Sequence, residues 1–239
     1  MSVLPHRSVP LLDALVTILL DPPRRSVPTP DVGYGATFDD QSILVLDEFL
    51  VRPELDDLVG WVTAHEQDFG ISNVISSSGR DGVLDAGHRR SKVLLAPGPF
   101  RMMFQDRLMS VLDHVCWRVG LPALPVSEIE IQITASNDGE FFRAHTDNGH
   151  RVLTGRKLTY VYFFHREPAA FSGGRLRFFE QTEVGGRILP GRLLAEVVPR
   201  QNQVVFFPSH YFHEIETVSC PSRRFVDSRF TVNGWYRTQ

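Results

Sequence analysis

His145-Thr146-Asp147 and, much later, His213 supply two imidazoles and a carboxylate, and Arg229-Phe230-Thr231 follows with a cation. Imidazole nitrogens plus one carboxylate are the donor set of non-haem Fe(II) sites, in which three protein ligands leave three octahedral positions open. Side chains two apart on an extended strand share a face, so His145 and Asp147 can reach one ion together. A second strand carrying His213 would close the set.

A lone His-x-Asp arises by chance in many chains, so the surroundings carry the argument. Residues 128–134 (EIEIQIT) alternate apolar and polar like a half-buried strand, and 136–140 (SNDGE) reads as a turn that delivers Phe141 and Phe142 to the motif. Downstream, 202–208 (NQVVFFP) is a short apolar strand, and 211–215 (YFHEI) begins the next. Each candidate ligand therefore lies at a strand edge, where rigid backbone can hold a coordination geometry.

The elements that must position these residues fall into two halves. Residues 42–46 predict a strand, Pro53 marks a helix start with Leu55, Leu58, Val59 and Val62 as its apolar stripe, and 100–119 predict the strongest helix, stopped by Gly120 and Pro122. Between the helices, 71–90 reads as a mobile loop with room for a short hairpin. Beyond Leu121, eight strands are expected at 127–134, 142–146, 157–164, 174–179, 193–198, 203–207, 212–218 and 228–236. Short strands with turn signals between them indicate a sandwich or barrel-like jelly roll, with the helices bracing one sheet from outside. The fold class is mainly β with flanking helices (α+β).

A chain of 239 residues can bury one sizeable core. The expected organisation is a short N-terminal helix and Pro-rich linker over 1–37, then one domain over 38–239, with helical support at 38–126 and the jelly-roll core at 127–237. The apolar run at 11–20 is too short to span a bilayer, contains Asp13, and lacks a cleavage pattern, so no membrane association is expected. A net charge of -3 with dispersed basic residues argues against nucleic-acid binding. Cys116 and Cys220 form no disulfide framework, which suggests a reducing compartment, the cytoplasm.

The order His145-x-Asp147, an aromatic-rich strand at 156–164, Ser172-Gly173-Gly174 turning into a strand, Phe206-Phe207-Pro208 shortly before His213-Glu214-Ile215, and Arg229-x-Thr231 to Trp235 resembles the prolyl 4-hydroxylase-like 2-oxoglutarate/Fe(II) dioxygenases over about 127–237. The resemblance implies a double-stranded β-helix of cupin-like form, with His145, Asp147 and His213 both as iron ligands and as the catalytic set. It also implies Fe(II), 2-oxoglutarate and O2, with ascorbate as a reductant. The distal carboxylate of 2-oxoglutarate then needs a cation. A planar guanidinium pairs bidentately with it, and Thr231 would face the same way. Arg223, Arg224 and Arg229 all follow His213. The family's usual gap favours Arg224, whereas the Arg-x-Thr pattern before Trp235 favours Arg229, which is preferred.

Relatives often place tyrosines against that carboxylate, where this chain has Ser136 and Phe163; Gln132, Tyr160, Tyr162 or Asn233 could substitute, and Gln132 and Tyr162 are taken forward. Asp147 counts against halogenation, since halogenases of the family lack that carboxylate. Among competing histidines, His210 would be off-face, His165 ends a strand, and His150 and His88 lie in polar loops; Glu214 reads as exposed. By analogy 71–90 and 148–155 bound the mouth, with Arg89, Arg90 and Arg151 able to meet an anion. The implied reaction is hydroxylation of an unactivated C–H bond on a prolyl residue, proline or another amino-acid-like substrate, small-molecule or peptidyl, with release of succinate and CO2. The other classes carried are a cupin-like metalloenzyme without a keto acid and a catalytically silent binding module. Nothing in the sequence speaks to oligomeric state.

Overall fold

The computed structural model describes residues 42–72, 85–185 and 187–239. The expected N-terminal helix and linker, and most of the loop at 71–90, lie outside the described residues. The elements run β1 (Leu44–Leu46), α1 (Arg52–Ala64), β2 (Gly70–Ile71), β3 (Arg89–Arg90), β4 (Lys92–Leu94), α2 (Arg101–Val119), β5 (Glu128–Ser136), β6 (Phe141–His145) and β7 (Arg156–Phe164). They continue with β8 (Ser172–Gly173), β9 (Leu176–Val184), β10 (Arg187–Val197), β11 (Gln203–Pro208), β12 (Phe212–Ile215), β13 (Val218–Ser219) and β14 (Arg229–Arg237).

The strands form a seven-stranded sheet in the order β1-β11-β7-β14-β5-β4-β2 and a five-stranded sheet in the order β10-β9-β12-β6-β3, with β13 and β8 paired apart. Every pairing is antiparallel. This is the expected jelly roll, with two facing, unclosed sheets. Period-2 alternation gives the large sheet two different faces. Ile129, Ile131 and Ile133 of β5, Tyr160, Tyr162 and Phe164 of β7, and Phe230, Val232 and Tyr236 of β14 form one core with both helices. The opposite face meets the small sheet through Val161, Phe163, Val205 and Phe207, against Leu176, Phe178 and Val197.

The helices follow from local chemistry. In α1, Pro occupies the first turn, and the Glu54 carboxylate accepts the Val51 N–H at 3.2 Å, satisfying one of the amides a helix start leaves free. In α2, Phe104, Leu108, Val111, Leu112, Val115 and Val119 form the buried stripe, and Gly120 ends the helix in the left-handed region at φ 74°. The Tyr236 hydroxyl donates to Leu108 O at 2.9 Å, tying the middle of α2 to the strand that begins at Arg229. Among the described residues, no helix is long and apolar enough to cross a membrane.

Candidate metal centre

His145 is the last residue of β6 and stands directly opposite His213 of β12, so one strand pairing brings the two imidazoles together. Asp147 lies just beyond β6, and its N–H donates to Ser209 O at 2.9 Å, which turns the chain back toward β12. Asp147 Oδ1 is 3.5 Å from His145 Nε2, and Oδ2 is 3.4 Å from His213 Nε2. One donor atom from each of the three residues lies within 4.8 Å of the others.

Both rings are oriented for coordination. Nδ1 of His145 is 2.8 Å from Arg143 O, and Nδ1 of His213 is 2.9 Å from Tyr211 O. A carbonyl accepts only, so each Nδ1 carries the proton and each Nε2 keeps its lone pair for a metal. Phe142 stacks on His145 with centroids 3.6 Å apart, and Phe207 meets His213 edge-on at 4.7 Å.

Burial pushes His213 down to about 4 although Asp147 opposes the shift, so the imidazole is neutral and ligand-ready at neutral pH. Burial alone would raise Asp147, but the neighbouring His213 and His145 and the Arg156 guanidinium outweigh it and hold the carboxyl well below its ordinary range. The His213 shift has a sign that can be tested in metal-free protein. The unfolded imidazole takes up a proton near 6.5 while the folded one resists until about 4. This stabilising contribution is therefore full above 6.5 and is lost as pH falls through about 4. Melting temperatures measured from about pH 7.5 to about pH 4.5 should decline below 6.5, and His213→Gln should flatten that decline. An equal decline in the variant would remove His213 as its cause.

Arg229 opens β14 opposite Ser136 and is 2% exposed. Its guanidinium lies 4.8 Å over the Phe163 ring, and among the described residues Nε and Nη2 have no hydrogen-bond partner. Burial pushes it down to about 9. The cation lines the same cavity as His145, Asp147 and His213. Gly174 makes room for it: a β-carbon there would stand 2.6 Å from Arg229 Cδ, and its φ of +65° also suits glycine. Arg223 and Arg224 lie outside, with Arg223 Nε 3.0 Å from Asp138 Oδ2 and Arg224 Nε 3.7 Å from Asp227 Oδ2.

Thr231 and Gln132 line the cavity beside Arg229, and so does Asn233, whose Oδ1 accepts from Thr134 at 2.9 Å and from Thr231 at 3.2 Å. Tyr162 does not join them. It belongs to the opposite face of β7, packs against Phe49 and Phe104, and donates its hydroxyl to Asn202 Oδ1 at 3.0 Å. The register explains the correction: Thr231 pairs with Phe163 and Val232 with Tyr162, so strand alternation turns Phe163, not Tyr162, toward Arg229.

His165 bonds Arg166 O at 3.0 Å, His150 accepts from Val152 N–H at 3.5 Å, and Glu214 pairs with Arg177 at 3.5 Å; none lines the cavity. His210 is exposed. His88 lies nearer than its polar loop suggested, 6.3 Å from the His145 ring. Arg89 lines the cavity and lies 4.6 Å over Phe142, whereas Arg90 lies 5.6 Å over Phe141. Sequence reasoning missed Thr159 and Ser209. Thr159 Oγ1 donates to Asp147 Oδ2 at 2.8 Å and is 2.9 Å from Ser209 Oγ. The only signal was a polar residue inside an apolar strand.

Residues 131–237 match the model of the 2OG-Fe(II) oxygenase superfamily. That stretch is similar to the 2OG-Fe(II) oxygenases. Over 135 residues the chain is 40% identical to an uncharacterized PKHD-type hydroxylase of Synechocystis sp. (strain ATCC 27184 / PCC 6803 / Kazusa), an alignment that covers 56% of this chain and 45% of that relative. The match thus spans less than half of the relative's length. The fold is shared with a prolyl hydroxylase from Trichoplax adhaerens in complex with a hypoxia inducible factor oxygen degradation domain peptide, at TM-score 0.56 and 18% identity, covering 82% of this chain and 84% of that one. A Pseudomonas putida prolyl-4-hydroxylase aligns at TM-score 0.53 and 17% identity, covering 83% and 94%. Two imidazoles and one carboxylate are a donor set that suits Fe(II), and a buried guanidinium with two nitrogens unpartnered among the described residues suits a dicarboxylate.

Proposed function

We propose that the protein is a 2-oxoglutarate- and Fe(II)-dependent dioxygenase that hydroxylates an unactivated C–H bond of a prolyl residue, proline or another amino-acid-like substrate. The balance is R–H, O2 and 2-oxoglutarate giving R–OH, succinate and CO2. The observation that carries the reading is Arg229, a buried guanidinium with two unpartnered nitrogens, in one cavity with the three metal-binding side chains. A buried unpaired cation costs several kcal/mol of lost hydration, so a site that retains one is built to receive an anion. A cupin-like metalloenzyme with no keto acid has no use for that cation.

His145, Asp147 and His213 would hold Fe(II), which supplies the site where O2 is reduced as the keto acid loses CO2. Arg229 would pair with the distal carboxylate, with Gln132 beside it offering an amide, and Thr231 a hydroxyl once its proton turns from Asn233 Oδ1. Val161, Leu176 and Ile215 give the cavity apolar wall, which limits water around the charges and strengthens the pairing. The prolyl preference is supported by the shared fold and by the PKHD-type relative. Two free, buried cysteines accord with a reducing, cytoplasmic setting.

The test is succinate release by Fe(II)-loaded protein across prolyl peptides, free amino acids and small metabolites. One compound class should stimulate turnover, with one succinate formed for each hydroxylated product. Substrate oxidation that neither needs nor consumes 2-oxoglutarate would overturn the reading.

A further inference from the structure

We infer that Thr159, backed by Ser209, is a positioning residue that dedicates the two oxygens of Asp147 to different partners and leaves Oδ1 for the metal. The inference rests on Asp147 being an iron ligand. Thr159 sits on the cavity face of β7, opposite Phe207 of β11 and Trp235 of β14. Its hydroxyl is 2.8 Å from Asp147 Oδ2 and 2.9 Å from Ser209 Oγ. A hydroxyl has one proton and an ionised carboxylate has none. The Thr159 proton is therefore committed to Asp147, and Ser209 must donate to Thr159. The chain runs one way, from Ser209 through Thr159 to Oδ2.

Thr159 and Ser209 are 2% and 0% exposed, so the chain is held inside the protein. Ser209 also accepts the Asp147 N–H through its carbonyl at 2.9 Å, and its own N–H donates to Lys157 O at 3.1 Å. Both the backbone and the carboxylate of Asp147 are thus tied to one residue, which lies between the end of β11 and the strand that carries His213. Oδ2 faces His213 with a lone pair already engaged by Thr159, whereas Oδ1 faces His145 Nε2.

The consequence concerns the number of open positions. Three monodentate protein ligands leave three octahedral positions, and a keto acid bound through two atoms plus O2 needs all three. A carboxylate that swung to chelate through both oxygens would remove one. Thr159 prevents this by making Oδ2 a hydrogen-bond acceptor, a neighbouring group that fixes a ligand's orientation.

The test uses the full chain with Thr159→Val, which keeps the shape and removes the donor, Thr159→Ser, which keeps the donor, and Ser209→Ala. Mn(II) dissociation constants come from paramagnetic resonance of the free ion, and Co(II) visible absorption reports coordination number. Thr159→Val should weaken Mn(II) binding by about 10-fold or more and change the Co(II) band, with Thr159→Ser within about threefold of wild type and Ser209→Ala between them. Far-UV circular dichroism checks that each variant is folded. A Thr159→Val protein that melts lower but keeps wild-type Mn(II) affinity and Co(II) band overturns the inference, as does a Thr159→Ser protein as impaired as Thr159→Val. Either result leaves the proposed function standing. A wild type that binds neither ion overturns the proposed function, and the inference with it.

Discussion

Arg229→Leu is expected to raise the 2-oxoglutarate concentration for half-maximal turnover by about 100-fold or more while leaving Mn(II) binding intact. Removing one partner of a buried charge pair costs about 2–5 kcal/mol, and each ~1.4 kcal/mol is tenfold in affinity. Arg229→Lys should fall between the two, because an ammonium keeps the charge and loses the planar fork. The same substitution has an opposite effect on the empty protein. Arg229 has no partner for Nε or Nη2 there, so exchanging it for an apolar side chain of smaller volume removes a desolvated charge. The metal-free melting temperature should hold or rise in Arg229→Leu while the response to 2-oxoglutarate collapses. Titrating turnover against 2-oxoglutarate and recording thermal melts without ligand measures both. An unchanged 2-oxoglutarate requirement in a folded variant would remove Arg229 from the pocket chemistry and return the search to other cavity donors such as Arg89.

This arrangement was legible in part because strand alternation is a local property. Glu128-Ile-Glu-Ile-Gln-Ile-Thr134 shows its two faces in the sequence, and the structure keeps Ile129, Ile131 and Ile133 against the helices with Gln132 and Thr134 in the cavity. The face of β7 was not legible. Residues 157–164 are apolar or aromatic at nearly every position because both sides of that central strand are covered, so no periodicity shows which aromatic turns inward. Only pairing with β14 settles it, and pairing is a long-range fact. The sequence alone therefore leaves Tyr162 and Phe163 equally able to face the pocket.

The hairpin of β9 and β10 shows the converse. Strands were expected at 174–179 and 193–198, whereas the ladder pairs Arg187 with Val184 at its tip and continues to Val197 with Leu176. Glu180 to Val184 and most of β10 are exposed or half-buried, so these residues lack the buried stripe that marks a strand, and backbone hydrogen bonds hold them instead. The two-residue strands β2 and β3 escaped notice for a related reason, since segments that short carry no period at all. Thr159 and Ser209 are 50 residues apart and meet only when β7 and β11 pair.

Asp147→Ala should abolish both metal and co-substrate binding, and comparing it with Arg229→Leu separates the two halves of the site. In wild type, anaerobic Fe(II) plus 2-oxoglutarate should give a weak visible charge-transfer band. Asp147→Ala should lose it, with turnover falling by at least about 1000-fold, beyond the ~10–100-fold typical of losing a group that only supports a ligand. Loss of the one anionic ligand leaves two neutral imidazoles to hold a dication in a buried site, where charge neutralisation matters most. The fold should survive: Thr159 loses its acceptor at Oδ2 but keeps Ser209 within 2.9 Å, so its hydroxyl retains a partner. The co-substrate should be lost with the metal although Arg229 is intact, because one distal ion pair replaces only part of a dicarboxylate's hydration. Arg229→Leu runs the other way, losing tight 2-oxoglutarate binding while the metal stays. This asymmetry distinguishes a keto acid anchored at two points from an anion bound by Arg229 alone. If Asp147→Ala kept stoichiometric Fe(II) and the visible band, His145 and His213 would have to find their third ligand elsewhere.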